Sequence, residues 1–329
     1  MKTSIIVVAI VLIVVVGGGA LGTLYFTGYF NQQPVTVRVG YLNGDLHNLS
    51  LHVAVAEGYF NQSGILVQLI GYPNGPTLMQ SFVKGDLDFA YLGVVPAMTA
   101  RANALIASNS SSLSLPVVIG SVNQEGSEIV VNQGITSISQ LNGTTIATPG
   151  VGTIQDLLLT LFEQENDINF TKVPSTNAQL ISQFKAGEFN GFMSWEPTPS
   201  VAVAQDNGTI IATSHDIFPD HQCCVLVVSD KFLASNPDVV SKFVADHKEA
   251  MDLINSNPAE VKAIAVNYTG FSAAIINTAY SNILFNETVN VASVKTFMQD
   301  EIALGIITTV NSTQVDAFMS GFIDSQYVH

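Results

Sequence analysis

After Pro34 the chain switches repeatedly between two hydrophobic periods. VTVRVGYL (Val35–Leu42) alternates apolar and other residues as a strand does, and SLHVAVAEGYF after it reads as a helix. ILVQLIGY is a second strand, and GPTLMQSFVKG is a helix with Gly85 at its C-terminal end. LDFAYLG is a third strand, and Pro96 sits in the opening turn of the next helix, where proline is tolerated. Strands that alternate with helices predict a parallel sheet covered by helices.

The pattern then restarts. GTTIATPG (Gly143–Gly150) is a strand, TIQDLLLTLFEQE a helix beginning at Thr153, INFTKV a strand, NAQLISQFKAG a helix and FNGFMSWEP a strand that ends in a loop. FVKGDLDFAYLG (Phe82–Gly93) aligns without a gap on FKAGEFNGFMSW (Phe184–Trp195). Phe, Gly and an acidic residue coincide, as do the apolar pair Leu87/Phe189 and the polar pair Asp88/Asn190. Two similar βαβαβ units predict two similar lobes.

Between the units, Val117–Ser121 and Glu128–Val131 are β-rich runs flanking VNQEGS, and the second run is a candidate hinge strand. The next uninterrupted β-run, CCVLVVSD (Cys223–Asp230), returns the chain to the first lobe. From Lys231 the pattern is helical, with Asn236-Pro237 as a start signal and three or four further helices beyond it. The expected organisation is 36–125 with 224–329 in lobe one and 126–223 in lobe two.

Residues Ser4–Phe30 carry no charge, which is long enough for a membrane-spanning helix. The apolar run continues past Gly17, Gly18 and Gly19 without a small-residue cleavage site, so residues 1–30 are expected to remain as an N-terminal transmembrane anchor rather than a cleaved signal peptide. Lys2 would stay inside and leave the body of the chain at the cell surface. Nine N-x-[ST] sequons, from Asn48 to Asn311, suit a glycosylated exterior protein and favour an archaeal source. The net charge is −15, with only Arg38 and Arg101 as arginines and no lysine cluster. Nucleic acid and anionic headgroups are therefore excluded as partners.

Four segments carry a resemblance: GYFNQSGILVQLI, KGDLDFAYLGVVPAM, ISQLNGTTIATPGVGTIQDLLL and GEFNGFMSWEPTPSVAV. In order and spacing they resemble the substrate-binding proteins of ABC importers for nitrate, sulfonate, taurine and thiamine-precursor pyrimidines. The resemblance runs from about Val37 to Val228. It implies an α/β, two-lobed type II periplasmic-binding-protein fold with two hinge crossings. It also implies a small-molecule solute, ABC permease and ATPase subunits as partners, and a monomeric receptor. The same family includes pyrimidine-synthesising enzymes with a cysteine-rich motif, so fold alone does not decide function.

Ligands bind at the carboxyl ends of strands in such sheets. The candidate contacts are thus Asn43 and His47 after the first strand, with Asp45 as an alternative, and Gly93 and Val94 after the third. In the second unit they are Gly152, Thr153 and Ile154, where Thr153 caps a helix and Asp156 completes a variant capping box, and Trp195 with Glu196. Free N–H groups at that helix start suit an oxyanion. Gln124 and Ser127 lie beside one crossing, and His221 and Cys223 beside the other. None of these loops supplies Arg or Lys, so the solute's charge is not transferable from the family.

Cys223 and Cys224 are the only cysteines. Adjacent Cα atoms, about 3.8 Å apart, fall short of the usual disulfide span. Successive strand residues point to opposite faces, so one cysteine is expected in the cleft. Enzyme signatures such as G-x-S-x-G, H-E-x-x-H, a P-loop and C-x-x-C are missing, and nothing joins His215, Asp216 and His221 to a nucleophile. The expectation is a binding protein with no catalytic residue, cofactor or metal. The alternative is a synthase-like or metal-binding protein using His47, His221, Cys223 and Cys224. A sensor is disfavoured because about three residues precede the apolar run.

Overall fold

Strands β1 (Val35–Leu42), β2 (Ile65–Tyr72) and β3 (Phe89–Gly93) lie parallel, with β1 in the middle, in a computed structural model that describes residues 33–328. Strand β4 (Pro116–Glu125) joins this sheet and β5 (Ser127–Val131) belongs to a second one, with Gly126 alone between them. The second sheet repeats the first. Strand β6 (Thr145–Thr148) is parallel to β7 (Thr171–Pro174) on one side and to β8 (Gly191–Trp195) on the other. Strand β9 (Thr209–Thr213) closes the far edge against β5, and β10 (Gln222–Ser229) returns to the first sheet between β3 and β4. Each third strand, β3 or β8, pairs antiparallel with a strand next to a crossing, β10 or β5.

The internal repeat is written in hydrogen bonds as well as in letters. The N–H groups of Gly85 and Asp86 bond back to Phe82 and Ser81, and those of Gly187 and Glu188 bond back to Phe184 and Gln183. Gly85 and Gly187 have φ of +86° and +72°, the left-handed conformation that lets each helix stop and turn into a strand. The polar pair then acts identically. Asp88 Oδ2 accepts from the Arg38 N–H at 2.8 Å, and Asn190 Oδ1 accepts from the Thr145 N–H at 3.0 Å. Each residue bonds to the strand in the middle of its parallel trio, β1 at Arg38 and β6 at Thr145, so the polar match in the sequence has a shared structural cause. Asp88 adds a two-point ion pair with the Arg38 guanidinium, at 2.7 and 3.0 Å.

Helix Pro237–Ser256 fastens the C-terminal part onto the first sheet. Phe243 lies stacked between Phe60 and Phe89, with ring centroids 4.4 and 4.0 Å away. His247, one turn on, is buried and donates from Nε2 to the Ser121 carbonyl at 2.8 Å, while its Nδ1 accepts from Tyr91 Oη at 3.2 Å. Burial holds it neutral, with its pKa lowered to about 4. Helices Pro258–Thr269, Ala273–Ser281, Val291–Ala303 and Val315–Phe322 follow. The two-residue strand β11 (Ile283–Leu284) covers the edge of β4.

Three local expectations change. Strand β7 starts at Thr171 rather than at Ile168, because Asp167 takes a left-handed turn (φ +52°) and Ile168 still bonds back to the preceding helix. Strand β4 runs on past Ser121 through VNQE, so one glycine separates it from β5. Strand β9 is an addition; its exposed outer residues gave no buried alternation to detect. The proposed anchor, residues 1–30, lies outside the described residues. Among the described residues no helix is long and apolar enough to cross a membrane.

Glu301 ties the C-terminal helices to the first sheet's helix Val94–Ile106, accepting from Thr99 Oγ1 at 3.1 and 3.0 Å. Burial raises its pKa from 4.5 to about 7. The stability carried by its protonated form is present below pH 4.5 and lost as pH rises through about 7. Urea denaturation should therefore show lower stability at pH 8 than at pH 5.5. Glu301→Gln should remove this group's share of the slope, at most about 1.4 kcal/mol per pH unit.

Candidate functional site

The carboxyl ends of β1 and β8 meet at the single-residue crossing. The Gly126 carbonyl accepts from His47 Nε2 at 3.0 Å and from the Glu196 N–H at 3.1 Å, so the loop after β1 and the loop after β8 share one acceptor. The Leu46 N–H donates to the Glu196 carbonyl at 3.0 Å. Only glycine fits this crossing. Its φ is +84°, and a Cβ would lie 2.5 Å from His47 Nε2. Asp45 starts the short 3-10 turn Leu46–Asn48 by accepting from the His47 N–H at 2.8 Å, which aims the imidazole inward. With Nε2 donating to Gly126, Nδ1 faces the cysteines.

Both cysteines face His47. Cys223 Sγ and Cys224 Sγ each lie 3.6 Å from His47 Nδ1 and 3.8 Å from each other, and both thiols are free. The expected alternation fails because β10 is irregular here. Its register against β4 shifts on either side of Cys224, so two neighbouring residues turn to one side of the sheet. The Gln222 side chain holds the distortion by donating to Ser121 Oγ, the Asn123 carbonyl and the Cys224 carbonyl at 3.0, 3.0 and 2.8 Å.

These groups line a small cavity between the two sheets, about 20 Å³, together with Leu42, Asp45, Gly75, Gly93, Pro96, Thr153, Ile154, Gln155 and Trp195. It is roughly the size of one water-sized guest. Of the candidate contacts, His47, Gly93, Thr153, Ile154, Trp195 and Cys223 border it. Val94 is buried beside them in the helix start. The others lie elsewhere. Asn43 is exposed against Gly71, and Gly152 faces an apolar groove with Pro76 and Met79. Gln124 is held in the sheet by β10 and β11. Ser127 acts at one remove, accepting from Gln155 Nε2 at 2.9 Å. The Glu196 carboxylate is turned away to Ser200 and Asn282, accepting at 2.8 and 2.6 Å. His221 donates from Nδ1 to the Phe218 carbonyl at 2.6 Å and packs on Phe297.

Asp45, Gln155 and Cys224 complete the polar wall. Asp45 is the alternative to His47 in the loop after β1; Gln155 is one position past the candidates at its helix start. The bulge that turns Cys224 inward leaves no mark in the letters CC.

The glycine loop before helix Ile154–Asn166 does not form the open anion cradle expected of it. Thr153 Oγ1 accepts from the Asp156 N–H at 3.3 Å, as a cap should. Asp156, however, reaches back to the Gly152 N–H at 3.0 Å rather than to Thr153. The carboxylate sits where an oxyanion would, paired with Lys172 at 3.4 Å.

Charge inside the cavity is unusual. Burial raises Asp45 to about 7. Burial opposes charge on His47, but Asp45 and Cys223 outweigh it and push His47 up to about 9. The hydrogen bond from Cys224 and the neighbouring imidazolium hold Cys223 well below the usual thiol range, and the same Cys223 sulfur drives Cys224 up. Asp45 Oδ2 and Trp195 Nε1 are buried with no protein partner. Among the described residues no Lys or Arg borders the cavity.

A model of the NMT1-like family matches residues 31–268. A putative binding protein of Brucella abortus (strain 2308) is 26% identical over 256 residues, spanning 75% of this chain and 76% of that protein. The 4-amino-5-hydroxymethyl-2-methylpyrimidine phosphate synthase of Aspergillus parasiticus is 25% identical over 231 residues, spanning 65% of this chain and 64% of the synthase. Among solved structures, the periplasmic nitrate-binding protein NrtA from Synechocystis PCC 6803 superposes with a TM-score of 0.77 at 14% identity, covering 89% of this chain and 87% of that one. At that identity the likeness is one of fold, and the fold is the two-lobed periplasmic-binding-protein type.

Because Gly126 holds both loops, Gly126→Ala should lower stability by about 1–2 kcal/mol from the positive φ alone, and by more if His47 is displaced. The denaturant midpoint checks this, with Gly134→Ala as a reference because a Cβ there meets open space.

Proposed function

The chain belongs to the NMT1-like family, and from that premise we propose that it is the extracytoplasmic solute-binding protein of an ABC importer. Residues 36–125 with 224–329 form one lobe and 126–223 the other. The lobes swing about the crossings at Gly126 and at 214–221, and a small polar organic molecule or oxyanion is held where the strand ends meet. The closed form docks on the permease and its ATPase. Residues 1–30 tether the receptor to the outer face of the cell membrane, and the sequons other than the buried Asn48 are candidates for glycosylation on that side. The role is capture rather than turnover.

One observation carries this reading: two sheets built alike, joined by short crossings, with unpartnered polar groups at the junction. Contacts across the junction are direct. Asn74 Nδ2 donates to the Pro149 carbonyl at 3.0 Å, and the position of a Cβ on Gly93 lies 3.2 Å from Ile154. A cavity of about 20 Å³ admits no organic solute. Solute entry therefore requires these contacts to part, which is the hinge motion of a capture device. Trp195 Nε1 and Asp45 Oδ2, left without protein partners, offer a donor and an acceptor to the guest.

The only tryptophan of the chain, Trp195, lies in the cavity wall and reports on it. Nitrate, taurine, an alkanesulfonate and an aminopyrimidine are suitable probes, alongside native mass spectrometry of protein carrying its own solute. The true solute should shrink the radius of gyration in small-angle scattering and shift the tryptophan emission. In Trp195→Phe the emission change should vanish. A protein that carries no small molecule and is not compacted by any of the probes would sink the proposal.

A further inference from the structure

We propose that His47, Cys223 and Cys224 form a binding site for one zinc-like divalent ion, with a fourth coordination position left to a water or a solute atom. The inference concerns a group that solute capture does not itself require, and it stands on geometry. Zinc bonds sulfur at about 2.3 Å and imidazole nitrogen at about 2.0–2.1 Å, so tetrahedral angles separate two sulfurs by about 3.8 Å and each sulfur from the nitrogen by about 3.6 Å. The three atoms here stand 3.8, 3.6 and 3.6 Å apart. Ordinary packing of two thiols against a ring does not require that triangle.

The surroundings fit the same group. His47 Nε2 donates to the Gly126 carbonyl at 3.0 Å, which fixes the ring and turns Nδ1 toward the sulfurs. Such an outer hydrogen bond accompanies nearly every metal-bound histidine. The bulge held by Gln222 turns two adjacent thiols to one side, a distortion that packing of two small side chains would not need. All three residues are buried, at 3% exposure or less. A divalent ion with two thiolates and a neutral imidazole carries no net charge, which is the form a buried site tolerates best. A monovalent ion would leave a negative charge buried. The cavity volume of about 20 Å³ suits one atom-sized guest. Asp45 Oδ2 is buried and unpartnered at the cavity border but stands outside the His47, Cys223 and Cys224 group, so the fourth position is left to a water or a solute atom. On binding, the ion takes the place of protons, because the sulfurs coordinate as thiolates and Nδ1 by its lone pair. A second group, Glu125, His215 and Asp220, is largely exposed, and Glu125 Oε1 already accepts from the His215 ring and the Asp220 N–H at 2.6 and 2.7 Å.

The test uses the full chain, reduced and stripped with a chelator, then titrated with zinc and with cobalt(II). One ion per chain is expected, and the cobalt form should show sulfur-to-cobalt charge transfer and the strong visible bands of a tetrahedral site. Cys223→Ser, Cys224→Ser and His47→Gln should each abolish stoichiometric binding, while His215→Ala should retain it. Zinc-edge X-ray absorption of the unmutated protein removes any dependence on how the variants fold. It should read two sulfurs at about 2.3 Å and the rest nitrogen or oxygen near 2.0–2.1 Å. Failure to bind an ion, a first shell without sulfur, or binding lost through His215→Ala instead would overturn the inference. Solute-driven compaction measured on the metal-free protein separates that outcome from failure of the receptor reading.

Discussion

The carbonyl of Gly126 is the point on which the site is built. It lies between the two sheets, in the only residue separating β4 from β5, and accepts from both His47 and Glu196. Those residues close the first loop of one unit and the last loop of the other. A hydrogen bond to a buried, positively charged imidazole is stronger than one between neutral groups. Losing it would leave a buried donor without a partner. The hinge and the cavity therefore share one interaction: any rotation about Gly126 must carry or break the His47 contact, and any change at His47 Nδ1 is felt one ring-width away at the hinge.

The larger plan was legible because it is redundant. Gly85 and Gly187 stop their helices in the same way, and Asp88 and Asn190 each bond a backbone N–H of the equivalent strand. A repeated local solution leaves a repeated local sequence, and the polar match was as informative as the apolar one. Strand β9 carried no such redundancy, since it is an edge strand whose exposed Thr209 and Ile210 obey no burial constraint. VNQEGS lay between the two β-rich runs, and pairing with β10 and β11 extends β4 through Gln124.

The site was legible only where it follows from strand ends. His47, Gly93, Thr153, Ile154 and Trp195 all sit at positions the topology dictates, and all reach the cavity. Side-chain direction was not legible. Asn43 occupies the right loop and points out of it, Gly152 fronts the neighbouring apolar groove, and Glu196 turns to Ser200 and Asn282 because burial favours any partner that satisfies its oxygens. The cysteine pair shows the same limit from the other side. Alternation is a property of regular strands, and the register shift in β10 depends on Gln222 bonding to three acceptors, which no local pattern announces.

The absence of Arg and Lys from the cavity wall then takes on a different meaning. A cleft for an anion needs positive potential, and here the helix start that would supply it is already satisfied by Asp156. The positive charge at the junction comes instead from His47, held between Asp45 and the cysteines. In the protein alone that charge is spent on the Cys223 sulfur and the Asp45 carboxylate, so little of it reaches a guest. A divalent ion in place of the protons would balance both thiolates and still present an electrophilic face to the cleft. The solute would then be selected by its ability to donate an oxygen or nitrogen to that face rather than by its net charge. This arrangement reconciles an acidic, arginine-poor chain with a fold that holds its guests at the ends of strands.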